Sequence, residues 1–320
     1  MVLAFGVGAP LGVRAQLQQL QQQQQQLGVE RAGGERRGVA GGALKPHGGR
    51  AGAGVTKGTT YAGGAIWKIK IKICLDAPHQ SPIDLRTDIW QSWTVSKNDV
   101  TAKLQTPRLK FAANPTFQGK RTRPGGPFSF PQVASDAEPA IRMLLPNGFV
   151  YKFLQFHFHT SSSEHALRGE KGIAEVHFVF GLDKEASADR PVWAGDNAPS
   201  NAVVGVLYRE SPNPCQWTET VLKSLPNPNA PEAGGQPLKA GSLKDFVPTF
   251  EKAAYFNYMG SLTTPPCSEG ILWFVFSRTA QMTMDQMARL QAVQGGANWR
   301  PLQLSGKERG SRYYMPVTEL

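Results

Sequence analysis

Two runs of sequence decide the fold of this chain: YKFLQFHFH at residues 151–159 and AEVHFVF at residues 174–180. Aromatic, branched and polar residues alternate in both runs, and this pattern predicts strands rather than helices. Side chains on a strand point alternately to its two faces. The first strand is therefore expected to carry an apolar row toward a core (Leu154, Phe156 and Phe158) and a polar row toward a site (Gln155, His157 and His159).

The second run repeats the arrangement. It has an apolar row of Val176, Phe178 and Phe180 and an opposite row of Glu175, His177 and Val179. The segment between the two runs is short and carries RGEKG at 168–172, which is typical of a turn. We therefore expect the two strands to be antiparallel neighbours.

Four of the six histidines fall between positions 157 and 177, and three of them would share one face of this strand pair. A single His-x-His pair is more often two buried imidazoles that bond to the backbone, but a third histidine in register favours a metal. Three imidazole nitrogens can meet about 2 Å from one Zn²⁺ and leave the fourth tetrahedral position open. The sequence predicts such a catalytic zinc on His157, His159 and His177, with Gln155 and Glu175 accepting hydrogen bonds from the rings.

The rest of the chain after about residue 59 also has the texture of a β protein. Short apolar or alternating runs lie between clusters of Gly, Pro, Asn and Asp, and they predict strands at 150–160, 172–181, 202–208 and 270–277. Helices are expected at 216–224 and 283–293, the second marked by Thr283 near its start and Gly295 after its end. We predict one mostly β domain over 59–320 with a few short peripheral helices.

Residues 1–58 have a different composition. They hold 14 Gly and six consecutive Gln at 21–26. Such a segment cannot bury enough apolar surface to offset the entropy of ordering it. We interpret it as a disordered tail, with a targeting peptide or an over-extended gene start as alternatives.

The net charge of +11 is not evidence for a nucleic-acid partner, since +5 of it falls in residues 1–58 and the remainder is scattered. Phosphate neutralisation needs a concentrated basic patch. The chain has no run of 18 apolar residues, so no transmembrane helix is expected. Three cysteines are too few for a disulfide-built scaffold. The sequence leaves the oligomeric state open.

Several motifs resemble those of the α-class carbonic anhydrases, in family order and over most of the folded portion. They are QSPIDL at 80–85, QFHFH at 155–159, SEH at 163–165, EVH at 175–177, GSLTTPPC at 260–267 and NWRPLQ at 298–303. His159 is followed by Thr160 and a short turn, and this segment is most similar to the corresponding segment in the bacterial and plant or algal members of the family. For His165, which stands apart from the metal row, we expect a structural hydrogen-bonding role.

The resemblance implies a large, twisted, mostly antiparallel sheet with zinc at the base of a cleft, and the reversible hydration of CO₂ to bicarbonate and a proton by zinc-bound hydroxide. It also implies roles for individual residues. Thr263 would accept the hydrogen bond of the hydroxide and donate to Glu164, while Thr264 would line the polar side of the cleft. An apolar wall for CO₂ would consist of Val179, Val203, Leu262, Ile271 and Trp273. For Leu262 and Trp273 taken singly, packing in the core is an equal alternative.

Cys74 and Cys267 occupy positions where the resemblance implies a disulfide, as in secreted or lumenal family members. That pairing would indicate an oxidising compartment. Cys215 would then be left over, and we interpret it as a buried small hydrophobe.

Two other functions are compatible with parts of the sequence. A catalytically weak, carbonic-anhydrase-related binding or matrix protein would keep the fold, although such proteins usually lose a zinc ligand. A nucleic-acid or polyanion binder could use the basic Gln/Gly tail, with the enzyme domain as a passenger. The segment between His79 and His157 contains no histidine, so we also expect no histidine proton shuttle before the first ligand strand.

Overall fold

The computed structural model describes residues 74, 77–86, 91–94, 106–121, 128–133, 138–191, 194, 196–226, 235–239, 243–303 and 312–315. All of them belong to one compact unit, Val55–Leu320. The predictions for residues 1–58 lie outside the described residues. Within the described ranges, no helix combines the length and the apolar character needed to cross a bilayer.

The secondary structure consists mainly of strands, as the alternating runs predicted. The strands are β1 Asp84–Leu85, β2 Gln91–Thr94, β3 Arg108–Phe111, β4 Thr116–Gln118, β5 Lys120–Arg121, β6 Phe128–Pro131, β7 Ile141–Leu144, β8 Val150–Thr160, β9 Ala166–Leu167, β10 Glu170–Lys171, β11 Ala174–Leu182, β12 Asn201–Glu210, β13 Pro237–Lys239, β14 Tyr255–Ser261, β15 Glu269–Phe276, β16 Ala280–Met282 and β17 Arg312–Met315. The helices given in full by the described residues are α1 Gln216–Leu222 and α2 Met284–Gln294, with a short 3₁₀ turn at Leu243–Asp245.

One sheet of twelve strands dominates the fold. Its path runs β2-β17-β14-β15-β12-β11-β8-β6-β5, with β16 beside β12, β7 beside β8 and β3 beside β7. Most neighbours are antiparallel, while β12 pairs in parallel with β15 and β16, and β17 with β2. Two small sheets, β1-β9-β10 and β13-β4, are not part of its hydrogen-bonded ladder. The predicted fold class, a large and mainly antiparallel sheet with few helices, is confirmed.

The two runs that decide the fold form the central antiparallel pair of this sheet, β8 and β11. His177 lies opposite His157, and Glu175 lies opposite His159. Paired residues in an antiparallel ladder project from the same face. The register therefore brings the three predicted ligands together.

One residue of the predicted apolar row is misplaced. The register between β8 and β11 shifts after the pair Val179 and Gln155, because the next pair is Phe180 and Phe153. Leu154 is the extra residue of this β-bulge. It is 41% exposed, whereas Phe153 is 4% exposed and replaces it in the core. The prediction that Leu154 faces the core is therefore wrong, because strict alternation does not hold across the bulge.

The apolar face of β8 and β11 is packed with aromatic rings. Phe156 is fully buried, and its ring centroid lies 4.6 Å from that of Phe130, 5.3 Å from that of Trp217 and 5.8 Å from that of Phe178. Trp217 belongs to α1, so the helix covers this face of the sheet. The core thus fixes one face of β8 and leaves the other for the histidines.

Both helices lie within two residues of their predicted bounds. Thr283 accepts a hydrogen bond from the backbone N–H of Gln286, which completes a capping box at the start of α2. Gly295 ends the helix in the left-handed region at φ 78°. These are the two residues from which the sequence predicted the ends of α2.

Because Phe156 is buried and Leu154 is not, truncating each tests the corrected alternation. We expect Phe156→Ala to lower the free energy of unfolding by about 3–5 kcal/mol. The matched change Leu154→Ala should lower it by less than about 1 kcal/mol. Urea denaturation followed by tryptophan fluorescence measures both; equal losses would contradict the placement of the bulge.

Candidate metal centre

The three histidines of β8 and β11 form a compact group. His157 is 8% exposed, His177 is 1% exposed and His159 is fully buried. One ring nitrogen from each lies within 4.8 Å of those of the other two. The ring centroids are 4.6 Å apart for His159 and His177 and 5.0 Å apart for His157 and His159. This spacing is compatible with one metal ion bound between the three rings.

Each ring has one nitrogen fixed by a protein acceptor. Nδ1 of His157 lies 3.0 Å from Oε1 of Gln155, and Nε2 of His177 lies 2.9 Å from Oε1 of Glu175. Nδ1 of His159 lies 2.6 Å from the backbone oxygen of Asn298. These contacts assign a proton to each of the three nitrogens and leave the opposite nitrogen of each ring for a metal.

The donor set fits a zinc ion. Nε2 of His159 and Oε2 of Glu164 are buried without a hydrogen-bond partner among the described residues. An unsatisfied buried polar atom costs about 1–3 kcal/mol, so a bound group is expected to satisfy it. Neutral imidazole nitrogen is a preferred zinc ligand.

Burial favours the neutral form of two of the ligands, His157 and His159. It lowers the pKa of His157 well below its usual value, with help from the neighbouring His159 and His177 and some opposition from Glu175. Burial also lowers the pKa of His159, against the opposing effect of Glu164. Since a metal competes with protons for these nitrogens, neutral rings are ready to bind it.

Glu175 is the acceptor at the centre of the site. It is fully buried. Its Oε1 accepts from Nδ1 of His165 at 2.8 Å and from Nε2 of His177, and its Oε2 accepts from the backbone N–H groups of Glu164 and His165 at 2.9 and 2.8 Å. Burial alone would raise the pKa of Glu175, but the charges and hydrogen bonds of His165 and His177 hold it well below its usual value. Glu175 is thus an ionised carboxylate that orients a predicted ligand.

His165 has the structural role expected of it. Its Nδ1 bonds Glu175 and its Nε2 lies 2.6 Å from the hydroxyl of Tyr258. His165, Glu175 and His177 also have potential ligand atoms within 4.8 Å of one another, as a metal site would require. Their contacts at 2.8–2.9 Å are hydrogen bonds, so the ring nitrogens that face Glu175 are already used.

Glu164 adjoins the ligands from the turn after β8. Its Oε1 accepts from the backbone N–H of Arg300 at 2.8 Å, and its Oε2 lies 4.0 Å from Nδ1 of His177. Thr263, its predicted partner, is 5% exposed and lies in the loop between β14 and β15. Thr264 follows in the same loop and is half-buried.

The residues of the predicted apolar wall belong to one cluster. Val179 lies opposite Val203 on β12, and Val203 lies opposite Trp273 on β15. Ile271 and Leu262 complete the set. Trp273 is 1% exposed, its ring centroid is 4.8 Å from that of His177, and its Nε1 donates to Ser261 O. Val179 and Leu262 are half-buried.

Cys74 and Cys267 are joined by a disulfide with a Cα–Cα distance of 5.2 Å. The guanidinium of Arg300 donates to Cys74 O, and the amide of Gln80 donates to Cys267 O. Cys215, the remaining cysteine, is half-buried against the core beside α1.

Sequence reasoning missed the roles of Asn298 and Arg300, although it quoted the motif that contains both. Besides orienting His159, Asn298 uses its amide to donate to Phe158 O and to accept from Thr160 N. Arg300 is fully buried, and its side chain donates to Gln80 and to Ser81 O. The sequence signal was an arginine two residues after an asparagine in this motif. Nothing in the sequence places the segment beside β8.

Gly205 of β12 leaves room for Glu175. It pairs with His177, and a Cβ there would lie 2.9 Å from Oε1 of Glu175. Gly205→Ala should push the carboxylate off His177 and weaken zinc affinity by about 10–100-fold, the range known for groups that support ligands in zinc enzymes.

Chelator competition measures this affinity. The matched control is Gly181→Ala on β11, whose added Cβ would meet only the side chain of the exposed Leu154 at 3.2 Å. The control should bind zinc like the unaltered protein. Equal affinities for the two variants would show that Glu175 does not support the site.

A family model described as eukaryotic-type carbonic anhydrase matches residues 62–309. Alpha carbonic anhydrase 4 of Arabidopsis thaliana is 32% identical over 169 residues, which is 52% of this chain and 55% of the relative. Carbonic anhydrase 3 of Rattus norvegicus is 30% identical over 254 residues, which is 70% of this chain and 85% of the relative. The chain spans about half the length of the first curated relatives it matches.

The solved structures agree with the sequence comparisons. The alpha-carbonic anhydrase of Photobacterium profundum superimposes with a TM-score of 0.57 at 28% identity, over 77% of this chain and 94% of the other. Plant and bacterial proteins are thus among the relatives, in agreement with the motifs. Because the family model covers most of the chain and the three-histidine site is intact, this protein belongs to the eukaryotic-type, α-class carbonic anhydrase family.

Proposed function

We propose that this protein catalyses the zinc-dependent, reversible hydration of CO₂ to bicarbonate and a proton. The observation that carries the proposal is the group of three buried imidazoles, each with one nitrogen fixed by the protein and the other left for a metal. Related proteins that kept the fold for binding alone usually lack a ligand. Here the sequence contains all three ligands together with Glu164 and Thr263.

His157, His159 and His177 would hold the zinc. As is known for carbonic anhydrases, Zn²⁺ on three histidines lowers the pKa of its water to about 7 and so supplies hydroxide at neutral pH. Gln155, Asn298 and Glu175 keep the ligand nitrogens directed inward. Because all three ligands are neutral, the positive charge of the metal is not cancelled by the protein.

Glu164 and Thr263 would orient the attacking oxygen. Glu164 is held by the backbone N–H of Arg300 and has a second oxygen, Oε2, that is buried and unpartnered among the described residues. A carboxylate oxygen such as Oε2 accepts hydrogen bonds. A hydroxyl that donates to it must present its lone pairs to the attacking oxygen, which fixes the direction of attack.

The apolar cluster suits a substrate without charge. Val179 and Leu262 are half-buried in it, and Val203 and Ile271 are buried members of the same cluster. CO₂ carries no net charge and has no hydrogen to donate. An apolar wall does not bind water strongly, so water would not compete with CO₂ for this surface. Thr264 would face bicarbonate on the polar side.

The disulfide supports an oxidising compartment for this protein, either outside the cell or in an organelle lumen. Residues 1–58 would then act as a tail or targeting segment that precedes the catalytic domain 59–320.

Stopped-flow CO₂ hydration by the zinc-loaded full chain tests the proposal. His177→Ala should lose both the bound zinc and the activity, because two histidines cannot keep the affinity of three. His79→Gln, a change at an exposed histidine outside the group, should keep its zinc. A zinc-loaded His177→Ala protein with ordinary activity would refute the site assignment.

Each turnover also releases a proton that must reach the solvent. No histidine lies between His79 and His157, where a shuttle would precede the first ligand strand. We therefore expect proton transfer to limit turnover, and imidazole to raise kcat while kcat/KM stays constant. Turnover independent of buffer concentration would contradict this expectation.

A further inference from the structure

Lys171 reaches from the surface into the wall of the site. Both residues of β10 are exposed. Yet Nζ of Lys171 donates to Ser163 O at 2.8 Å and to Glu164 O at 2.9 Å. It therefore binds the carbonyl oxygens of the two peptide bonds that flank the Cα of Glu164.

One of these two carbonyl groups depends on Lys171, because Ser163 O also accepts from the hydroxyl of Ser162 at 3.1 Å. Ser163 and Glu164 are both fully buried. In the described part of the chain, Lys171 is the hydrogen-bond donor to Glu164 O. A buried carbonyl without a partner is destabilising, so the turn would change conformation if the ammonium were removed.

The same ammonium contacts a second segment of the site. It lies 4.9 Å from the ring centroid of Trp299, a cation–π contact. Trp299 stands between Asn298, which orients His159, and Arg300, whose backbone N–H donates to Oε1 of Glu164. Lys171 thus joins the two segments that meet at the carboxylate of Glu164.

Electrostatics favours the same arrangement. Burial lowers the pKa of Lys171, and the negative charges of Glu175 and Glu164 oppose that shift. A cation near the buried carboxylate of Glu175 offsets part of the cost of keeping that group ionised.

We propose that Lys171 is a positioning residue for Glu164. By holding the backbone of the Glu164 turn against the Trp299 segment, it fixes the angle at which Glu164 meets its partner hydroxyl. The proposal rests on the proposed CO₂ hydration and adds a residue that touches neither metal nor substrate.

Lys171→Met is the informative change, because methionine keeps an unbranched apolar stem beside Trp299 and removes the donors. We expect kcat to fall about tenfold, the scale known for groups that support a metal site, while zinc content stays unchanged. Lys171→Arg should restore most of kcat, since guanidinium can donate to both carbonyls and contact the indole.

Two controls separate positioning from loss of stability. Leu238→Ala removes buried side-chain volume in β13, a strand of the separate two-stranded sheet, and should lower the melting temperature without lowering kcat at 25 °C. Lys184→Met changes an exposed lysine and should change neither quantity. A fall in kcat that merely follows melting temperature across these variants would overturn the proposal.

A double-mutant cycle tests whether Lys171 acts through Glu164 and Thr263. If it does, Lys171→Met should lower kcat little further in a Thr263→Ala background. Additive losses would mean that Lys171 acts by another route, and so would contradict the proposal.

Amide hydrogen exchange gives a readout that needs no activity. Lys171→Met should speed exchange at the amides of Glu164, His165 and Arg300, which are bonded to Glu175 or Glu164. If Lys171→Met exchanges faster but the unaltered protein does not hydrate CO₂, the proposed function is refuted, while the role of Lys171 in holding the Glu164 turn stands. If the Lys171→Met variant exchanges at the same rate as the unaltered protein, Lys171 does not hold the Glu164 turn, and the proposal is refuted whatever the activity.

Discussion

The four hydrogen bonds accepted by the buried carboxylate of Glu175 hold the site together. Removing such an ion from water costs several kcal/mol. The carboxylate recovers this by accepting from two histidine rings and two backbone N–H groups. One carboxylate therefore sets the orientation of His177, the orientation of His165 and the path of the turn that carries Glu164. Gly205 supplies the space for it, since a side chain there would meet the carboxylate at once.

Arg300 plays the complementary part from the far end of the chain. Its backbone N–H holds Glu164, and its fully buried guanidinium bonds Gln80, Ser81 O and Cys74 O. Cys74 is in turn disulfide-bonded to Cys267, which lies in the same loop as Thr263 and Thr264. Segments more than 200 residues apart thereby meet at one arginine, whose backbone N–H also holds Glu164. Guanidinium suits this task because its five donors have a fixed planar geometry.

The alternation of residues predicted much of the site from the sequence. His157, His159 and His177 were recognisable because a period of two puts alternate residues on one face, and the structure places them in one group. The position of Glu175, two residues before His177, likewise predicted its contact with the ring. The placement of Leu154 failed because a β-bulge is a local departure from that period, decided by the packing of Phe153 and Phe156 into the core.

By itself the sequence determined the β class of the domain, the strand pair that carries the ligands, the ends of α2 and the chemical identity of the donor set. These follow from local periodicity and from the chemistry of the side chains. Tertiary structure alone decided that Asn298 O would orient His159, that Trp299 would cover Lys171 and that Arg300 would support Glu164. The physical reason is that each of these contacts joins segments more than 120 residues apart. No local pattern encodes such a meeting; it is set by the order of strands in the sheet and by the side chains packed between them.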